Sequence, residues 1–85
     1  MLPGYHETIV WAERSLRHQP NNLESLGALS IASARVGDFD KAQAVMKRLL
    51  QLAPHRRISN YFAPHTKPEA RAGTEDILRK LGMPE

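Results

Sequence analysis

Apolar side chains recur every three or four residues in four stretches of this chain, which is the spacing of one buried face of an α-helix. The stretches predict helices over about residues 4–18, 23–35, 39–52 and 67–81. The predicted inward positions are Tyr5, Ile9, Ala12 and Leu16, then Leu26, Leu29, Ala32 and Val36, then Phe39, Ala42, Val45 or Met46, Leu49 and Leu52, and finally Ala70, Thr74, Ile77, Leu78 and Leu81. The pattern predicts an all-α fold.

Turn and capping residues separate the first three stretches. Pro20 ends the first, because proline disfavours a helical conformation in the residue before it. Asn22 is suited to cap the start of the second helix, and Asp38 the start of the third. Gly37 lies between the second and third predicted helices, at a position where a residue in the left-handed conformation commonly ends a helix. These residues predict two tight connections, one between the first and second helices and one between the second and third.

The regular pattern breaks down after Pro54. Ile58, Tyr61 and Phe62 could begin another helix, but Pro64 would interrupt it. The sequence Thr66-Lys67-Pro68-Glu69 has the form of a capping box with proline in the first turn, which predicts the start of the last helix. Because the outer face of a terminal repeat meets water, this helix is interpreted as a capping helix.

The chain also contains an internal repeat. Pro54 follows Pro20 by 34 residues, and the segment before Pro20 partly shares the register of the segment before Pro54. Periods of this length are typical of helical solenoids, in which each unit buries its apolar face against its neighbours. The spacing therefore favours a binding scaffold over a catalytic fold.

Residues 23–56 resemble the tetratricopeptide repeat. Gly37-Asp38-Phe39-Asp40-Lys41-Ala42 is similar to the family's Gly-Asp-Tyr-Asp-Glu-Ala turn, and Leu50-Gln51-Leu52-Ala53-Pro54 to its Leu-Glu-Leu-Asp-Pro close. Residues 4–20 resemble the second helix of a preceding repeat. The resemblance implies antiparallel helical hairpins in one domain, 1–85, with a partial repeat over 4–20, a whole repeat over 23–56, and a degenerate unit with a capping helix over 57–85.

The resemblance also suggests a larger parent protein. A first helix without its own partner helix is expected in a fragment from the C-terminal end of a longer repeat protein. The ending Ile77–Glu85 resembles the tails of bacterial proteins in which a class III nucleotide cyclase or a winged-helix DNA-binding domain precedes such repeats. This resemblance implies an interaction scaffold in a signalling or regulatory protein, or alternatively the regulatory tail of a nucleotide cyclase.

The positive charge of the chain makes nucleic acid an alternative partner. The formal net charge is +3 and the pI is near 9.7. Only His55-Arg56-Arg57 forms a compact basic cluster, with Lys47 and Arg48 nearby, and no aromatic residues alternate with it for base stacking. The other basic residues are interspersed with acidic ones, as on a solvated helix surface. Protein binding is therefore favoured, with nucleic-acid binding through this cluster as the alternative.

Signatures of catalysis and metal binding are missing from the sequence. There is no cysteine, and no two of the four histidines have the close spacing of zinc ligands. The five glycines are isolated and form no phosphate-binding loop. We therefore expect no enzymatic activity, no metal and no cofactor. With neither a membrane-spanning apolar run nor a signal-peptide pattern, a cytoplasmic protein without membrane contact is expected.

The family resemblance implies a partner groove along the first helix of the whole repeat. Carried over to this sequence, its predicted partner-binding residues are Glu24, Ile31 and Arg35. Gly27, Ala28 and Ile31 stand where relatives that clamp a carboxylate carry lysine and asparagine. A carboxylate clamp is therefore not expected, and the groove would suit a mixed apolar and charged peptide or helix. The alternative is that a single repeat forms no groove, since solenoids need about three repeats for stability.

Trp11 is the remaining candidate for partner binding. The first helix is apolar on two stripes, which suits a helix placed between two neighbours. Trp11 is therefore either part of the core between repeats or an anchor for a partner. In a fragment of the kind described above, this helix would lack one of its neighbours. Part of its apolar surface should then be exposed and should favour a homodimer.

Overall fold

The chain is helical wherever its structure is described. The computed structural model describes residues 4–62 and 66–85, apart from the side chain of Ala70, and these ranges contain five helices and no strand. The helices are α1 (Tyr5–His18), α2 (Leu23–Arg35), α3 (Phe39–Leu52), α4 (Ile58–Tyr61) and α5 (Pro68–Lys80). The all-α prediction is confirmed. The predicted interruption at Pro64 and the inward position of Ala70 lie outside the described residues.

The connection between α2 and α3 has the predicted capping chemistry. Gly37 has a φ of +89°, in the left-handed region. The backbone N–H of Asp38 donates to the carbonyl of Ser33 at 2.9 Å, which closes the end of α2. The Asp38 carboxylate in turn accepts the backbone N–H of Lys41 at 3.2 Å, at the start of α3. One short segment thus ends one helix and begins the next.

The predicted capping box at the start of α5 is wrong. Lys67, and not Thr66, is the N-cap residue, and its side chain makes no capping hydrogen bond. Pro68 occupies the first helical position, as expected, and proline forces the preceding residue into an extended conformation. Because this shifts the cap to Lys67, Thr66 lies one residue outside the helix.

The end of α5 folds back into the core. Gly82 has a φ of +101°, and the backbone N–H of Met83 donates to the carbonyl of Leu78 at 3.0 Å. Leu78 and Met83 are both buried, as in the hydrophobic contact that accompanies this type of helix end. The carbonyl of Pro84 then accepts the backbone N–H of Ile58 at 2.8 Å. Residues 81–85, which follow α5, are thereby attached to the start of α4.

Helix α2 is at the centre of the molecule, and eight of its 13 residues are buried. The start of α2 lies against the end of α1, where the hydroxyl groups of Ser25 and Ser15 are 2.8 Å apart. Its end lies against the start of α1, where the Arg35 guanidinium lies 5.4 Å from the centroid of the Tyr5 ring. Helix α3 also packs along α2.

The hydrophobic core joins α2 and α3 to α4, to α5 and to the residues that follow α5. Its buried residues are Leu26, Ala34, Ala42, Met46, Leu49, Ile58, Leu78, Leu81 and Met83. Tyr5, Val36, Phe39 and Leu52 were predicted to face inward, and all four are exposed. Each lies at or just beyond a helix end, where the neighbouring helices no longer cover the predicted face.

Leu49 and Leu52 provide a matched test of this core, since the same truncation is made on one helix at two levels of burial. Leu49 is 1% exposed and Leu52 is 40% exposed. Leu49→Ala should lower the free energy of unfolding by about 2–5 kcal/mol, because it removes buried contacts and leaves a cavity. Leu52→Ala should lower it by less than about 1 kcal/mol. Urea denaturation measures both, and equal losses would contradict the assigned core.

Candidate partner-binding surfaces

The face of α2 that was predicted to form a groove is largely covered by the C-terminal part of the same chain. Gly27 is buried, and a Cβ atom added to it would lie 2.6 Å from the Tyr61 hydroxyl oxygen. Ile31 is half-buried and packs against the core. Arg35 is exposed but donates from Nη2 to the Thr74 hydroxyl on α5 at 3.4 Å.

Glu24 lies at the open end of this face. It lines a cleft of about 240 Å³ together with the side chains of Leu23, Leu49, Arg56 and Tyr61. The cleft is small compared with ligand sites of about 300–1,000 Å³. The open part of the predicted groove is therefore a short depression with one acidic and one basic side chain in its wall.

Tyr61 forms part of the wall of this cleft. Its ring meets the ring of Phe62 edge to face, with the centroids 5.1 Å apart. Burial raises the pKa of the Tyr61 phenol, while the Arg56 guanidinium lowers it by a smaller amount and the Glu24 carboxylate raises it slightly. The phenol is therefore neutral well above physiological pH, as a side chain packed against the backbone of α2 requires.

The contact between Gly27 and Tyr61 can be tested by a double-mutant cycle. Gly27→Ala should destabilise the chain, because crowding against the Tyr61 hydroxyl costs about 1–3 kcal/mol and outweighs the gain in helix propensity of about 1 kcal/mol. In a Tyr61→Phe background the hydroxyl is gone and the remaining ring atoms are at ordinary contact distances of 3.4–3.5 Å. The same Gly27→Ala change should then be neutral or stabilising. Identical effects in the two backgrounds, measured by urea denaturation, would show that the two residues are not in contact.

The stability of the chain should also depend on the ionisation of Tyr61. Because its pKa is raised in the folded state, the stabilisation is complete below about pH 10 and is lost as the pH rises through the raised value. Tyr61→Phe should reduce the fall in unfolding free energy between about pH 9 and pH 12. Tyr5→Phe, at an exposed ring, is the control and should leave that fall in place. Equal pH profiles for wild type and Tyr61→Phe would contradict the assignment.

The outer face of α1 is a second, exposed surface. Val10 is 54% exposed and Trp11 is 53% exposed, whereas Ala12, next along the helix, is completely buried. Glu7 and Arg14 lie one turn to either side, and with His6 these residues line a shallow depression of about 340 Å³. Trp11 therefore lies on an exposed apolar surface between an acidic and a basic side chain.

An ion pair links α1 to α3. The Glu13 carboxylate lies 3.1 Å from the Lys41 ammonium on α3, and both side chains are partly exposed. On the opposite side of α1, the Ser15 hydroxyl contacts Ser25 of α2. The contacts of α1 with the described residues thus leave the surface around Val10 and Trp11 open.

The basic residues of the predicted nucleic-acid site make different local contacts. Arg56 lines the cleft that also contains Glu24. The backbone N–H of Arg57 donates to Asn60 Oδ1 at 2.9 Å, at the start of α4. Arg48 Nη2 donates to Asn21 Oδ1 at 2.9 Å, before α2. Nucleic-acid binding through these residues stays a prediction from the sequence.

No group of three or more histidine, aspartate or glutamate side chains in residues 4–62 and 66–85 could hold a metal ion. None of the helices in the same ranges is long and apolar enough to cross a membrane.

Sequence reasoning did not anticipate that Tyr61 would cover Gly27. A signal was present, because a glycine in the middle of a helix weakens that helix and commonly marks a close approach. The sequence predicted that part of the apolar surface of α1 would be exposed, but not that Val10 and Trp11 would be exposed side by side between Glu7 and Arg14. That arrangement depends on which face of α1 turns away from α2.

Comparisons with protein-family models, curated proteins and solved structures found no match to this chain. The interpretation as a tetratricopeptide repeat therefore still rests on the sequence motifs.

Proposed function

We propose that this chain is a protein-interaction unit built from antiparallel helical hairpins of the tetratricopeptide type, and that it binds its partner through the outer face of α1. The observation that carries the proposal is the pair of large apolar side chains Val10 and Trp11, each more than half exposed and adjacent on one helix. Tryptophan is enriched among the residues that dominate binding energy in protein interfaces.

The contacts between the helices support the hairpin interpretation. The end of α1 meets the start of α2 at Ser15 and Ser25, and the start of α1 meets the end of α2 at Tyr5 and Arg35. Two helices that contact each other at both ends in this order run in opposite directions. Arg48, near the end of α3, likewise reaches Asn21 before α2. These relations agree with the repeat that the 34-residue period predicts.

The covered face of α2 is a weaker candidate for the binding surface. A partner that used Ile31 and Arg35 there would compete with Tyr61 and Thr74 of the same chain. Part of its binding free energy would be spent on displacing that segment. A partner on α1 meets no such competition within the described residues. In a larger signalling or regulatory protein, the α1 surface would be the place where this unit holds another protein or an attached domain.

Site-specific photo-crosslinking tests the proposal. The photoreactive amino acid p-benzoylphenylalanine would replace Trp11, and the same replacement at Gln43 on the exposed side of α3 would serve as the control. Irradiation of living cells should give discrete protein adducts for position 11, because a bound partner lies against that surface. Position 43 should give none of the same adducts.

The pattern of adducts decides the outcome. Equal labelling at the two positions, or no adduct at position 11, would contradict binding through α1. Circular dichroism of both substituted chains should show unchanged helicity, since both replaced side chains are exposed. A difference in adducts between positions 11 and 43 can then be attributed to the surface that each position samples, and not to unfolding.

A further inference from the structure

The outer face of α1 has a residue order that is complementary to itself when reversed. Along the helix it presents Glu7, Val10, Trp11 and Arg14, at the spacing that places four residues on one face. The acidic and basic residues are equally far from the midpoint between Val10 and Trp11. Reversing the helix therefore exchanges the two charges about the same apolar centre.

We infer that this surface binds a second copy of the chain, with α1 packed against α1 of the second copy in antiparallel orientation; the inference rests on the proposed function of this surface. A two-fold axis between residues 10 and 11 places Glu7 opposite Arg14 of the second copy. It places Val10 opposite Trp11 of the second copy. Because the interface is symmetric, each of these contacts occurs twice.

The charges select the antiparallel orientation. In a parallel pair Glu7 would meet Glu7 and Arg14 would meet Arg14, and like charges opposite each other oppose association. In the antiparallel pair both ends carry opposite charges. Neither Glu7 nor Arg14 has an ion-pair partner within 4 Å among the described residues. Both side chains can therefore pair with a second chain without breaking an existing contact.

The size of the surface limits the affinity. Helix α1 has 14 residues and is about 21 Å long at 1.5 Å per residue. One face of such a helix buries less than the roughly 800 Å² per partner of a standard interface. The dimer should therefore be weak, with a dissociation constant of tens of micromolar or higher. Its formation should depend on concentration and, through the ion pairs, on salt.

Charge reversal tests the inference without altering the core. Glu7→Arg places positive charge at both ends of the surface, and Arg14→Glu places negative charge at both ends. Each variant alone should dimerise about tenfold more weakly or worse, because both attractive pairs become repulsive. An equimolar mixture of the two variants should recover dimerisation, since every pair across the interface is then opposite in charge. The double variant Glu7→Arg/Arg14→Glu should also dimerise like wild type.

Sedimentation equilibrium from about 10 µM to 1 mM measures the wild-type chain, the two single variants, their mixture and the double variant. Trp11→Ala should lower the dimer fraction, and Gln43→Ala should leave it unchanged as the matched control. A monomeric wild-type chain at every concentration would overturn the inference. So would charge-reversed variants that dimerise as strongly as wild type, or a mixture that fails to recover dimerisation.

The photo-crosslinking products separate this inference from the proposed function. Adducts at position 11 with twice the mass of the chain support the second copy as partner. Adducts only with other proteins would overturn the second copy while supporting protein binding through α1. No adducts at all would contradict both.

Discussion

The close packing around α2 is the constraint on which the rest of the structure depends. Helices α1, α3 and α5 contact this helix, and the Tyr61 side chain packs against it at Gly27. Small residues make this possible, because Ala32 and Ser33 occupy little space and Gly27 leaves room for the Tyr61 hydroxyl. A helix that is covered on several sides must have few polar side chains to solvate, and α2 has charges only near its two ends.

This packing determines which surface is open for binding. Helix α5 and residues 81–85 are held in place by the burial of Leu78 and Met83 and by the hydrogen bond from Ile58 to Pro84. They therefore cover α2 as part of the core. Among the described residues, the large apolar side chains with the greatest exposed fractions are then Val10 and Trp11 on α1. The proposed function follows from this difference between a covered α2 and an exposed α1 face, since no described residue covers Val10 and Trp11.

The parts of this structure that sequence could predict are those that depend on near neighbours. Asn22, Gly37 and Asp38 act on residues within five positions of themselves, so their capping roles were predicted correctly. The contact of Tyr61 with Gly27 joins residues 34 positions apart, and no local pattern indicates which distant side chain will arrive. The exposure of Phe39 and Leu52 also depends on where neighbouring helices end. The same applies to Trp11, whose burial depends on what lies beyond α1.

The distance between Tyr61 and Gly27 in solution tests the central claim most directly. Nuclear Overhauser effects between the Tyr61 ring protons and the Gly27 α-protons should be strong in the free chain, because the ring lies in contact with that glycine. Their presence would show that Tyr61 covers the face of α2 at Gly27, as this account requires. Their absence in a folded chain would mean that the face of α2 is open, which would contradict this account.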